Sequence, residues 1–518
     1  MKKTLLLLTL IPLTVHAAEI QPIWGKIPPS IATTQFKNQL QLVKDKNGHR
    51  RYQVVYKGIP VWGYQLIEHS KGKISYSGYM VSGIEKDISS LTPALNKGSV
   101  IRTIAARGGK NITIKTVIYI RNKKARLAYH VKYYTMDNHK PANPNKIIDA
   151  NDGTVLKAFN ALRTRRVGQG SGGNYIRLPS RSGDFYYGQP DSRINSLGRF
   201  DVTVAGGTCR VANSNFEVVN LQNKAFDWDL FPISAATQDQ YPVFSYPCSR
   251  HTQYVNYDDG GYAPINEGLS PVNDAMYFAQ TTLDMYQQLY GDDKPFGDDL
   301  PVRAYVHVAN LDNAFAIGTE YENGRIHSHQ QIVIGNGEEY FAPMSQTTIP
   351  HELSHNVTNN YSGLIYDGQS GGIDEAFSDM ADLALRDYLS RLYPWYWDGK
   401  DWSIGREEAL DGIPLRYMEN PGDDGYSIAS AEEYHEGLDV HFSSGVFNRA
   451  FFLLAHQPGW NAQKAFQVMF DANRYYWVPN TNFDFASCGV IQAAMDRGWD
   501  MAAVIDAFHV VAVRCPLV

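Results

Sequence analysis

The 518-residue sequence predicts an α+β protein built from several units. A basic α+β segment of two modules precedes a β-rich stretch and then a mainly helical one. Three observations predict this. Residues 18–167 carry 26 Lys/Arg against 8 Asp/Glu, whereas residues 168–518 carry 20 against 45, so a near-neutral total of −5 hides two oppositely charged parts. Between them Arg163-Thr-Arg-Arg-Val-Gly-Gln-Gly-Ser-Gly-Gly173 is basic and then Gly-rich, a composition that holds no regular element and invites proteolysis. Finally, the apolar period changes from strand-like to helical near Ile349.

Taken in order, the chain opens with Lys2 and Lys3, an apolar run from Leu5 to Val15, and Ala17-Ala18. This is the pattern of a secretory signal over residues 1–17 and predicts a secreted, extracellular product of bacterial export. The run is shorter than the ~20 residues of a spanning helix, so no membrane anchor is expected. Residues 18–95 and 96–167 each alternate in short strands, with turn signals at Lys57-Gly58 and Lys71-Gly72. Their Lys and Arg are scattered along strand-like runs and form no compact basic helix, which argues against a nucleic-acid partner. A basic module beside an acidic one instead predicts complementary surfaces. The boundary at 168 follows from the charge split and the linker, and that between the β-rich part 168–347 and the helical part 348–518 from the change of period. The four cysteines, at 209, 248, 488 and 515, suit an exported chain with two disulfides, and proximity favours Cys209 with Cys248 and Cys488 with Cys515.

The chemistry concentrates at His351-Glu352-Leu353-Ser354-His355. Histidines at i and i+4 share one helix face and reach a single ion. Zinc suits two neutral imidazoles and a carboxylate, leaving a position for water, and Glu352 is placed to take that water's proton. With only 15 His in the chain, this spacing would arise by chance about 2% of the time. Twenty residues after His355, Glu375 can complete the ligand set, and Asp379 can accept the far N–H of a zinc-bound histidine. Here Asp374-Glu375 is read as opening a second helix after the turn Asp367-Gly-Gln-Ser-Gly-Gly372.

These residues, with Gly363-Leu-Ile-Tyr366 between the two helices, resemble the active-site helices of thermolysin-like metallopeptidases. Leu415-Arg-Tyr-Met418, Gly437-Leu-Asp-Val-His441-Phe-Ser-Ser-Gly445 and Asp471-Ala-Asn-Arg-Tyr-Tyr-Trp477 resemble the pseudolysin branch more closely still. The resemblance implies a two-lobed peptidase, with a β-rich N-terminal lobe, a mainly helical C-terminal lobe and a cleft between them. It implies one zinc on His351, His355 and Glu375, Glu352 as general base, and His441 and Tyr366 as oxyanion donors, with Asp439 or Glu436 orienting His441. Asn313 and Ala314 would pair with the substrate backbone, and Arg416 would hold its primed-side carbonyl. Gly58-Ile-Pro-Val-Trp-Gly63, Leu127-Ala-Tyr-His-Val131 and Asp149-Ala-Asn-Asp-Gly153 resemble the two-module propeptide of these enzymes. That implies a zymogen whose propeptide acts as intramolecular inhibitor and folding aid. A monomer acting on proteins or peptides, with preference for an apolar residue after the scissile bond, completes the expectation.

The chain departs from the family at three positions expected to hold acidic calcium ligands, which here are Thr347, Leu383 and Arg386. Calcium takes several hard oxygens and is repelled by arginine, so no calcium is expected there. Two rival readings remain: a catalytically inactive, peptidase-like binding protein or adhesin, and a zinc hydrolase acting on non-protein substrates. The first requires loss of Glu352, His441 or a ligand, and the second leaves the peptide-pairing strand and Arg416 unexplained.

Overall fold

The computed structural model describes residues 18–26, 39–46, 48–70, 74–137, 140–142, 144–160, 163–164, 201–205, 207–247, 270–297, 301–322, 325–337, 347–392, 396–406 and 413–517. The signal segment 1–17, Cys248 and the processing linker apart from Arg163 and Thr164 lie outside the described residues. Two compact units emerge. The first comprises residues up to 103 with 114–131 and 146–158, and the second comprises 104–113, 132–145 and 159 onward.

A ten-stranded sheet supplies the strands of the first unit. Its strands are β1 (Glu19–Gly25), β2 (Leu40–Lys46), β3 (His49–Tyr56), β4 (Ile59–His69), β5 (Ser75–Ser82), β6 (Lys110–Arg121), β7 (Lys124–Asp137), β8 (Lys140–Ala142), β9 (Pro144–Asp149) and β10 (Val155–Asn160). Of these, β8 and the ends of β6, β7 and β9 belong to the second unit. The main path runs β1-β5-β4-β6-β7-β9-β10, with β2 on β3 and β3 on β4. The Lys57-Gly58 turn forms as read: both residues have positive φ, 47° and 82°, which matches the twist of a two-residue hairpin joining β3 to β4. The two module-sized stretches share this sheet through the parallel pairing of β4 and β6 at Val61↔Ile118, both residues being fully buried. Helix α1 (Lys97–Ala105) connects the two halves.

In the second unit β11 (Arg163–Thr164), β14 (Phe216–Ala225), β16 (Val302–Ala309), β17 (Ala314–Ile317) and β20 (Gln331–Gly335) form a sheet in the order β11-β17-β20-β16-β14. Strands β14, β16 and β20 are parallel, and β17 runs against β20. A small sheet of β12 (Thr203–Ala205), β13 (Thr208–Arg210) and β15 (Ser245–Pro247) carries Cys209, which is disulfide-bonded, and a hairpin of β18 (Glu320–Glu322) and β19 (Arg325–Ser328) precedes β20.

Helix α2 (Pro271–Tyr290) starts on a Ser270 cap with proline in its first turn and stops at Gly291 in the left-handed region, the arrangement that satisfies both helix ends. The remaining helices are α3 (Thr348–Asn360), α4 (Gly368–Leu392), α5 (Val440–Ser443), α6 (Gly445–Ala455), α7 (Ala462–Tyr475), α8 (Phe483–Asp496) and α9 (Met501–Val510). The β-rich then helical order is therefore as expected. The Cys488–Cys515 disulfide ties α8 to the C-terminal residues.

The helical core forms around α4, where Phe377 stacks on Phe466 at 5.2 Å and meets the edge of Trp477 at 6.3 Å. Each such fully buried aromatic contributes roughly 1.5–3 kcal/mol by leaving water. They fix the rotation of α4, and with it the direction of the carboxylates on its other side.

Candidate metal centre

Helix α3 buries Ile349, Leu353 and Val357 on one side, which turns His351 and His355 together on the other. Pro350 sits in the first turn of this helix, where its missing N–H removes no intrahelical bond, and the helix begins before it at Thr348. The two imidazole rings are 4.8 Å apart and nearly perpendicular.

Helix α4 corrects one expectation, because it starts at Gly368 and takes in the glycine-rich segment instead of opening at Asp374. Packing is the reason. A Cβ on Gly371 would lie 2.4 Å from Val440 Cγ1, and one on Gly372 would lie 2.3 Å from Ser443 Oγ. The glycines allow the short helix α5, which bears His441, to lie directly on the first turn of α4.

The acids of α4 then meet the histidines of α3. Glu375 Oε2 is 3.4 Å from His351 Nε2, and Glu375 Oε1 is 3.4 Å from His355 Nε2. One ligand atom from each of the three residues lies within 4.8 Å of the others, and all three side chains are fully buried. His351 Nε2 and Glu375 Oε2 make no hydrogen bond among the described residues. Buried polar atoms converging without a hydrogen bond are costly unless something else occupies the space between them, and a tetrahedral cation with nitrogen and oxygen ligands fits this donor set.

The outward ring nitrogens are held in turn. His351 Nδ1 lies 3.0 Å from Asp379 Oδ1, and His355 Nδ1 lies 3.2 Å from both Asp374 Oδ1 and Ser378 Oγ. Asp379 also receives Arg416 through Nε at 2.7 Å and Nη2 at 2.6 Å, and Asn448 Nδ2 at 2.8 Å. Asp374, Ser378 and Asn448 were not singled out from the sequence. The first two could have been found, since they repeat the i, i+4 spacing of Glu375 and Asp379 one residue earlier on the same helix.

Beside the ligands, the Tyr366 hydroxyl donates to Glu375 Oε1 and lies 3.3 Å from His441 Nε2. His441 Nε2 is 3.6 Å from Glu375 Oε1, while its Nδ1 lies 2.7 Å from Asp439 Oδ1. Asp439 also caps α5 by accepting the His441 backbone N–H at 3.0 Å. Of the two acids considered for orienting His441, Asp439 is the one in contact. Glu352 is fully buried on α3 between the two histidines.

Electrostatics follow from this crowding. Burial alone would lower the His351 pKa, but Asp379 and Glu375 outweigh it and carry it up to about 9. Burial likewise opposes the charge on His441, yet Glu375 and then Asp439 hold its pKa above the ordinary histidine value. Against their own burial, Glu375 is kept well below the carboxylate range by His441, His351 and His355, and Asp379 is lowered by Arg416 and His351.

Ala314 opens β17, which packs on α3. Asn313 precedes it, with Oδ1 accepting the Ala314 N–H at 2.8 Å and its carbonyl accepting Gly335 N–H at 2.9 Å. The other edge of β17 is taken by β11, antiparallel, with Arg163↔Ala316 and Thr164↔Phe315.

Residues 188–359 match the thermolysin metallopeptidase catalytic domain, residues 362–513 the thermolysin metallopeptidase alpha-helical domain, and residues 40–77 the fungalysin/thermolysin propeptide motif. Similar proteins include the hemagglutinin/proteinase of Vibrio cholerae, 34% identical over 90% of this chain and 71% of that protein. The neutral protease of Vibrio proteolyticus is 33% identical over 90% and 71% respectively. The zinc metalloproteinase of Legionella pneumophila is 32% identical over 90% and 86%.

Proposed function

The chain belongs to the thermolysin-like zinc metallopeptidases, and from that premise we propose how its own residues divide the work of a secreted endopeptidase made as a zymogen. The convergence of His351, His355 and Glu375, with Glu352 on the same helix, carries the reading. These three residues would hold one zinc ion, which would supply Lewis acidity toward the scissile carbonyl and lower the pKa of a water to about 7. The Glu352 carboxylate takes that water's proton as it attacks and passes it to the leaving amine, so no covalent acyl-enzyme is formed.

His441 and Tyr366 donate to the oxyanion as charge develops, the role their shared position beside Glu375 supports. Asp439 orients His441, and Asp379 orients His351. Asn313 and Ala314 present an edge to an extended peptide, which adds as a further strand. Arg416 keeps Nε and Nη2 on Asp379, and its Nη1 is the donor offered to a primed-side carbonyl.

The propeptide, through about residue 167, holds the enzyme latent. Supporting this, β11 already lies antiparallel on β17 as an extended peptide would, directly after the propeptide strands. Within the same unit Tyr134 is buried against Trp228 at 4.5 Å and donates to Glu320, joining the apolar cluster that includes Phe315 and Ile317 of β17. Residues 1–17 direct export. No helix among the described residues is long and apolar enough to cross a membrane.

Hydrolysis of casein or a fluorogenic peptide by the purified protein tests the assignment. Activity should disappear in Glu352→Ala with zinc still bound, and disappear reversibly on zinc chelation. Undiminished hydrolysis by that variant would overturn the role given to Glu352.

A further inference from the structure

Buried arginine is rare without an anionic partner, and Arg386 on α4 is among the largest fully buried side chains of the chain. Its guanidinium donates from Nε to Asp382 Oδ1 at 2.9 Å, from Nη2 to Asp382 Oδ2 at 2.8 Å, and from Nη2 to Thr347 Oγ1 at 3.0 Å. Asp382 and Thr347 are also fully buried. Thr347 immediately precedes α3, and its carbonyl accepts the N–H of the metal ligand His351 at 3.2 Å. One side chain therefore ties the start of the helix that bears both histidines to the helix that bears Glu375 and Asp379.

A divalent cation does not fit this joint. Calcium takes six to eight oxygen ligands. Among the described residues, both oxygens of Asp382 are engaged by the guanidinium, a positive charge that would repel a second cation, and the Thr347 hydroxyl also accepts from it. The Asp382 carboxylate is met, among the described residues, by the Arg386 guanidinium in bidentate geometry. Lysine could not reproduce that fork together with the bond to Thr347.

We propose that Arg386 is a built-in cation that replaces a divalent ion between these helices, and that it is a positioning residue for the zinc ligand His351. The proposal rests on the metallopeptidase reading only for what is positioned. It acts through Thr347, which sets the first turn of α3, and touches neither substrate nor metal.

The test uses the purified full-length protein in buffer stripped of divalent ions on a chelating resin, with one equivalent of zinc restored. Titrating calcium chloride to 10 mM should move the wild-type Tm by less than about 1 °C, because the guanidinium already occupies the Asp382 carboxylate and repels a second cation. A saturable rise of several degrees in wild type, absent from Arg386→Met, would overturn the proposal. Zinc affinity, measured by chelator competition at a temperature where circular dichroism shows the fold intact, should fall about tenfold in Arg386→Met. Arg386→Lys should recover part of that loss.

The double variant Arg386→Met/Asp382→Leu removes both buried charges, so it should regain the Tm lost by Arg386→Met while keeping weakened zinc binding. Wild-type zinc affinity in that double variant would mean that Arg386 is merely structural, and the proposal would fall. Absence of stoichiometric zinc from wild type would instead sink the metallopeptidase reading, with the calcium titration still deciding the character of the joint.

Discussion

Asp379→Asn is the change that separates a structural carboxylate from one that sets up the metal centre. The side chain keeps its shape, but of its two oxygens only one remains an acceptor. Asp379 now meets four nitrogens: His351 Nδ1 at 3.0 Å, Arg416 Nε at 2.7 Å, Arg416 Nη2 at 2.6 Å and Asn448 Nδ2 at 2.8 Å. Whichever way the amide is turned, its NH2 faces a donor, and the Arg416 guanidinium, 5% exposed, is left without an anion. Breaking a buried pair on one side costs about 3–5 kcal/mol. At ~2.1 cal/mol/K per residue over the ~350 residues of the peptidase part, Tm should fall by about 4–7 °C.

Zinc affinity should fall between ten- and a hundredfold as His351 loses its orienting partner. Asp374→Asn is the internal control. It meets His355 with a single contact of 3.2 Å that Ser378 duplicates, so about 1 kcal/mol and less than tenfold in zinc affinity are expected. Thermal unfolding and zinc competition on the two proteins settle the matter. Equal effects, or a larger effect for Asp374→Asn, would refute the account of Asp379.

In Asp439→Asn the His441 pKa should drop, since Glu375 and Asp439 both raise it against burial; the protonated form is the stronger oxyanion donor, so the alkaline limb of the kcat/KM–pH profile should move to lower pH and the acid limb stay put. Gly371→Ala puts a methyl 2.4 Å from Val440 Cγ1 and should cost about 1–3 kcal/mol by displacing α5, with kcat falling more than zinc affinity because His441 moves and the ligands do not. Zinc binding to metal-free protein near pH 8 should release about one proton, since His351 titrates at about 9 in the absence of metal; calorimetry in buffers of different ionisation enthalpy reads this directly, and no release would contradict the assignment. In the first unit, burial, His49 and Arg51 hold His69 at about 3, so the unfolded chain binds a proton that the folded form refuses between pH 6.5 and 3. Stability of that unit should therefore decline as pH falls below about 6.5, by at most about 1.4 kcal/mol per pH unit, and denaturant midpoints at pH 7.5 and 5 that coincide would exclude it.

What could be read from the sequence was whatever repeats at local spacing. His351 and His355, Glu375 and Asp379 are each i, i+4 pairs, so their joint orientation follows from helix geometry alone. Asp439 lies two residues before His441, whose Nδ1 it meets. The start of α4 was misread because Gly-Gln-Ser-Gly-Gly carries the composition of a turn, whereas two of its glycines are required by a neighbour about seventy residues away, which no local rule detects. Arg416 illustrates the same limit, since its bond to Asp379 spans 37 residues and adds a second task to the substrate contact expected of it. The parallel order of β14, β16 and β20 was equally hidden, because strand periodicity reports which face is buried and not which strand lies alongside.

The polar side of α4 shows why this helix can be buried all round. Asp374, Glu375, Asp379 and Asp382 are each 0% exposed, and four uncompensated carboxylates would drive the helix out of the core. Two have a cation supplied by the chain, since Asp379 meets Arg416 and Asp382 meets Arg386, and Asp374 lies against the His355 ring. Glu375 differs. Its neighbours are the rings of His351, His355 and His441 and the Tyr366 hydroxyl, and its charge in turn raises the pKa of His351 and His441. A site that must either hold protons against the ordinary histidine pKa or exchange them for a cation favours the cation, and the exchange leaves the other three acids undisturbed. Within the buried stretch 370–386 of α4, Glu375 is thus the acid left to a cation from outside, while the guanidinium groups of Arg416 and Arg386 balance Asp379 and Asp382 in either state.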